Sequence, residues 1–206
     1  MSLQRPGRSR SSRRRAAASL PLLLPLLALF ASPPALGAGT GDAATSLEHQ
    51  VKAAFLFNFA RFVEWPPDSS RESGDGFVMC VADDDDFAAA LDQSVSGKTI
   101  EGRVLRVRRL QLLDEARLCR ILYLGTADPL RLETLLKGVR TEPVLTVAAA
   151  PGFTRQGGII NFVLEDNRVR FEINPDAAQR AGLRISSKLL QLATIVHDER
   201  KAENER

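Results

Sequence analysis

Histidine and cysteine are nearly absent from this 206-residue chain, which holds two of each. The histidines, His49 and His197, lie far apart in sequence, and no C-x-x-C or H-x-x-x-H spacing occurs. A metal centre is therefore not expected. Acid is missing from the start: nothing acidic precedes Asp42, whereas Arg5, Arg8, Arg10, Arg13, Arg14 and Arg15 crowd the opening residues. Long apolar runs are missing too. The longest candidate, Leu20 to Ala31, contains Pro21 and Pro25 and falls short of the roughly 20 residues a transmembrane helix takes. No internal repeat or low-complexity linker is present.

A basic start, a short apolar stretch and the small-residue exit SPPALGA read as a secretory signal peptide over residues 1–38, cleaved between Ala35 and Ala38. The alternative is an uncleaved N-terminal anchor. Removing the six arginines leaves 22 of the 28 basic residues against all 25 acids, a net charge of −3. The +3 of the whole chain belongs to the targeting segment, so nucleic acid is not an expected partner. Direct membrane insertion after cleavage is not expected either. In an oxidising compartment the pair Cys80 and Cys119 reads first as a disulfide.

Residues 39–46 read as a flexible leader, 47–197 as one domain and 198–206 as a charged tail. Thr45 or Ser46 caps a helix that runs to about Val63 and stops at Pro66-Pro67. Ser69 to Gly76 is a polar loop. FVMCVA (77–82), TIE (99–101), VLRVRRL (104–110), RILYL (120–124) and VLTV (144–147) read as short strands. Helices begin at Asp83–Asp86 and at Asp128-Pro129. IINFVLE and RVRFEI, separated by Asp166-Asn167, form a hairpin. Asn174-Pro175 opens a last helical region through AGLRISSKLLQLATIV. The expected fold is α/β: one domain with a largely parallel or mixed sheet flanked by helices, closed by a C-terminal hairpin and helix.

Catalytic patterns fail one by one. Asp83 to Asp86 fits a helix N-terminus better than a magnesium site. Gly97-Lys98-Thr99 imitates the end of a P-loop, but Asp92 stands where the motif needs glycine, and a strand follows. His197-Asp198 with Ser186 or Ser187 has the letters of a hydrolase triad but no G-x-S-x-G elbow. Cys80 inside an apolar strand has nothing to lower its pKa. The chain reads as a non-enzyme without a cofactor.

VKAAFLFNFARFVEWPP (51–67) holds four of the ten phenylalanines and the single tryptophan. At helical spacing Val51, Phe55, Phe59 and Phe62 form one stripe, widened by Leu56 and Val63. Phe57 points away from it beside Arg61 and Glu64, so it is a candidate partner contact. Trp65 and Phe153, the latter in PGFTR, are two further candidates; core packing is the competing reading for both.

VKAAFLFNFARFVEWPP and PGFTRQGGIINFVLEDNRVRFEINPDAAQRAGLRISSKLLQLATIV, with GKTIEGRVLRVRRL and CRILYLG between them, resemble the signatures of the YfiR-like periplasmic proteins across residues 48–197. The resemblance implies a periplasmic α/β domain, usually dimeric, that regulates cyclic-di-GMP signalling. It implies repression of an inner-membrane diguanylate cyclase through binding of its periplasmic sensory region. An OmpA-like outer-membrane lipoprotein sequesters the best-described member and relieves that inhibition, which changes exopolysaccharide production and biofilm formation. Cys80 and Cys119 match the positions of a family disulfide. That repressor has a further cysteine pair in its C-terminal part, and this chain has none there. A different class of function, a periplasmic small-ligand sensor using pockets at the strand ends, is the alternative.

Overall fold

The computed structural model describes residues 40–67, 76–166 and 168–197, all within one compact unit, Gly39–Arg206. The signal peptide over 1–38, nearly all of the Ser69–Gly76 loop and the tail over 198–206 lie outside the described residues.

The chain opens with helix α1 (Thr40–Phe62), which starts inside the segment read as a flexible leader. Residues 43–46 (AATS) contain neither proline nor glycine, and nothing there interrupts a helix that the docked turns downstream already nucleate. The helix gives way to a two-residue strand, β1 (Val63–Glu64), before Pro66 and Pro67. Strand β2 (Phe77–Ala82) leads into α2 (Asp85–Val95), and a hairpin of β3 (Thr99–Ile100) and β4 (Arg103–Arg109) follows. A 3-10 helix (Leu113–Leu118), β5 (Ile121–Leu124), α3 (Pro129–Val139) and β6 (Leu145–Ala148) come next. The hairpin β7 (Ile160–Glu165) and β8 (Arg168–Ile173) pairs Glu165 with Arg168, with Asp166 at a φ of 48° in the turn.

An eight-stranded mixed sheet runs β10 (Thr194–Ile195), β8, β7, β6, β5, β2, β4, β3. Its centre, from β4 through β7, is parallel, while β7–β8 and β3–β4 are antiparallel. The expected α/β fold is thus present. β2, β5 and β6 are buried along their whole length, which is why their runs are almost wholly apolar, whereas β4 leaves Val104, Arg106, Arg108 and Arg109 exposed. Phe77, Met79 and Val81 join the cluster under α1 and α2; Val78, Cys80 and Ala82 join the one under α3.

The end of the chain differs from the long helix expected there. Only Pro175–Arg180 (α4) and Ser187–Leu190 (α5) are helical, separated by β9 (Arg184–Ile185) and followed by β10 (Thr194–Ile195). Gly182 supplies the reason. At a φ of 71° its N–H donates to the Gln179 carbonyl, and the next N–H, of Leu183, reaches back to Ala178 at 2.9 Å. This is a Schellman stop, and it frees the chain to pair elsewhere. β9 then lies antiparallel on β1, and β10 lies parallel on β8.

Candidate functional site

The aromatic stripe of α1 docks on the hairpin. Phe55 and Phe59 meet Phe162 and Phe171 with ring centroids 5.1 to 6.0 Å apart, including the Phe55–Phe59 contact. Phe59 and Leu56 are fully buried, and truncating Phe59 to alanine would cost about 3–5 kcal/mol.

Phe57 stands apart from that stripe but is not free. It is half-buried, and the Lys98 ammonium sits 4.5 Å from its ring centroid. Lys98 is exposed and belongs to the turn that Gly97, at a φ of 71°, makes before β3. Trp65 is half-buried as well. Its indole N–H donates to the Arg120 carbonyl at 3.2 Å, and its ring stands at 90° on Phe77 with centroids 5.1 Å apart. Trp65, Pro66 and Pro67 line a groove of about 370 Å³ together with Glu101 and Arg103. The segment from Lys98 to Arg103 therefore meets the Phe57 ring at one end and lines the Trp65 groove at the other, which joins the outer side of α1, the WPP exit and the start of the β3–β4 hairpin.

Phe153 does not belong to it. The side chain is completely buried against the α3 face of the sheet, so its candidacy as a contact residue is withdrawn. A Cβ on Gly158 would lie within 2.5 Å of the Phe153 Cζ, so only glycine leaves room for this ring. The loop around it is fastened by buried polar groups. Thr154 Oγ1 donates to Glu172 at 2.9 Å, Asn174 Nδ2 to the Thr154 carbonyl at 2.7 Å, and the Ala150 N–H to Asn161 at 3.0 Å. Phe153 is thus a core plug, carried by a loop whose Pro151, Arg155 and Gln156 stay exposed.

Ligands of open parallel sheets bind beyond the carboxyl ends of strands where successive connections diverge. Here that point lies between β2 and β5, whose helices α2 and α3 lead to opposite sides. The crevice is filled by its own loops. A Cβ on Gly125, just after β5, would meet the Asp83 carbonyl at 3.0 Å and the Ala82 carbonyl at 3.1 Å. Arg131 clamps Asp83 at 3.1 Å across the same gap, and this hydrogen bond raises the guanidinium pKa above its ordinary value.

The acidic run is spent on structure. Asp84 Oδ1 accepts the Phe87 N–H at 2.8 Å as the cap of α2, and Asp85 pairs with Arg109 at 2.9 Å. His49 approaches Asp84 at 3.9 Å and stands edge-on to Phe87, whose ring in turn packs 4.1 Å from that of Tyr123. Burial, then the charges of Asp84 and Glu48, push the Tyr123 hydroxyl well above its usual range. Of the hydrolase-triad letters, Asp198 lies outside the described residues, and His197 and Ser186 are engaged elsewhere. His197 contacts Asp176 at 2.7 Å, while Ser186 caps α5 through Leu189.

Cys80 and Cys119 are joined in a disulfide, with Cα atoms 5.8 Å apart. The bond ties β2 to the end of the 3-10 helix. Sequence reasoning placed both cysteines but missed the cleft of about 470 Å³ beside them, lined by Cys80, Arg108, Leu112 and Leu118. Its signal was the uncovered leucines of an otherwise charged stretch.

A family model described as YfiR/HmsC-like matches residues 49–194. A crystal structure of a conserved domain protein from Vibrio cholerae is similar at 13% identity and a TM-score of 0.43. The match covers 59% of this chain and 55% of that one, so the chain spans about half of that protein's length. Among the described residues no helix is long and apolar enough to cross a membrane.

Proposed function

The chain belongs to the YfiR/HmsC-like family, and we propose that it is a periplasmic, non-enzymatic regulator that binds the periplasmic region of an inner-membrane diguanylate cyclase and represses it. The observation that carries this reading is the family match over residues 49–194, which takes in the first signature segment and all but the last two residues of the second. Binding would act by population shift: the regulator prefers the inactive arrangement of the cyclase, and a competing outer-membrane lipoprotein of the OmpA-like kind withdraws it. Cyclic-di-GMP output, exopolysaccharide and biofilm then follow the free concentration of the regulator. The chain would act as a homodimer.

The surface we assign to the partner is the outer side of α1 with Phe57, the groove of Trp65, and the Lys98–Arg103 hairpin. Half-buried aromatics beside charges are what interface anchors look like before the partner covers them. Against the small-ligand sensor stands the closed crevice at Gly125, where the loops after β2 and β5 already touch.

Pull-down from envelope extract with the mature protein tests the class of function, and recovery of a membrane protein carrying a cyclase domain is the expected result. Phe57→Ala should weaken that capture at least about fivefold. Deleting the gene should raise cyclic-di-GMP; an unchanged level would remove the repressor role.

A further inference from the structure

β4 is an open edge over half its length. Its inner side is laddered to β2 from Leu105 to Arg109. On its outer side β3 pairs only Arg103 and Val104, and the Leu105 N–H reaches the Lys98 carbonyl at 3.1 Å. Backbone groups alternate in direction along a strand. The Leu105 N–H points outward, and the Leu110 N–H points inward to the Val81 carbonyl at 2.8 Å. The N–H and C=O groups of Val107 and Arg109 therefore face outward, and among the described residues no strand covers them.

The charge on this edge is lopsided. RVLRVRR has four arginines and no acid, although residues 39–206 are net negative. Arg109 is paired with Asp85 on the α2 side. On the opposite face Arg106 is exposed beside Val104, while Arg108, already engaged, lines the cleft with Leu112, Glu115 and Leu118.

We propose that the outer edge of β4, from Arg106 to Arg109, docks an extended acidic segment of a partner protein as an added strand. Main-chain hydrogen bonds to Val107 and Arg109 supply the register, as in other strand-addition complexes. Carboxylates on the face of Arg106 supply the sign. A second copy of this chain is the wrong occupant, since β4 on β4 would set arginine beside arginine. The inference does not depend on which protein carries the segment, and it stands or falls apart from the cyclase reading.

The test uses isotopically labelled mature protein and two synthetic octapeptides, one alternating valine with glutamate, the other valine with lysine. The glutamate peptide should slow amide exchange at Val107 and Arg109 at least about tenfold, and added salt should weaken it. Arg106→Glu should lower its affinity about fivefold, the scale expected for reversing an exposed pair. Val107→Pro removes an N–H that, among the described residues, no strand uses. It should abolish protection at Arg109 while the other amides of the β2–β4 ladder keep theirs. Unchanged exchange at both amides, equal binding of the lysine peptide, or protection that rises with protein concentration alone would each overturn the proposal.

Discussion

Replacing Cys80 and Cys119 together by alanine should cost the domain about 4–5 kcal/mol. The bond spans 39 positions, and that loop contains α2, β3, β4 and the 3-10 helix. Chain-entropy reasoning assigns such a loop about 4 kcal/mol, because the bond denies the unfolded chain most of its freedom to separate those ends. Both cysteines are buried, at 2% and 0% exposure, so the small voids left by alanine add to the loss. Against a typical total of about 5–15 kcal/mol, the variant stays folded but much weakened. At about 2–4 °C per kcal/mol for a chain of this size, the melting point should fall by about 8–20 °C. Urea unfolding followed by the fluorescence of Trp65, the only tryptophan, reads the difference. Reductant on the wild type should reproduce most of it. Thiol alkylation with and without reductant, followed by mass, verifies the bond. A loss below about 1.5 kcal/mol, with the bond verified, would refute the reasoning. It would mean that the unfolded chain already keeps β2 close to Cys119.

Tyr123 is the only tyrosine, so ultraviolet titration reads it alone. Its pKa is raised above the ordinary 10.0, first by burial and then by Asp84 and Glu48. Above pH 10 the unfolded chain gives up this proton while the folded chain holds it. Stability from this group is complete below that pH and then declines by up to about 1.4 kcal/mol per pH unit, until the folded hydroxyl ionises. Tyr123→Phe should remove that slope, and a native phenolate titrating near 10 would contradict the burial. Gly158→Ala should cost about 1–3 kcal/mol by forcing a methyl group into the Phe153 ring. Phe153→Leu in the same chain should recover part of it in a double-mutant cycle, and a neutral Gly158→Ala would show that the ring is not seated there.

The centre of the fold was legible because its strands are short apolar runs and its helices carry explicit starts. Asp128-Pro129 and Asn174-Pro175 both behave as read: each side chain caps its helix, and proline takes the first turn. The end of the chain was not, because Leu183, Leu189 and Leu190 fit a helical period as well as they fit two short strands and one turn. Only the positive φ at Gly182 decides between those readings, and glycine inside an apolar stretch does not announce it. Phe57 shows the limit of a helical wheel. The wheel assigns one buried side, but α1 also packs against α2, and Lys98 in the turn before β3 closes over the Phe57 ring. Phe153 was ambiguous for a different reason: seven residues of turn separate its loop from any period, and its burial depends on Gly158.

The β1–β9 ribbon has a temporal consequence. Val63 pairs with Ile185, Glu64 with Arg184, and the Ser186 N–H donates to the Phe62 carbonyl at 2.9 Å. The phenylalanines that receive α1, Phe162 and Phe171, also lie more than a hundred residues downstream. A chain delivered N-terminus first therefore presents α1 long before anything exists to hold it. Its apolar side must wait, solvated or chaperoned, until nearly the last residues arrive. Closure of the domain is thus a late event, made by residues 63–64 and 184–185 finding each other.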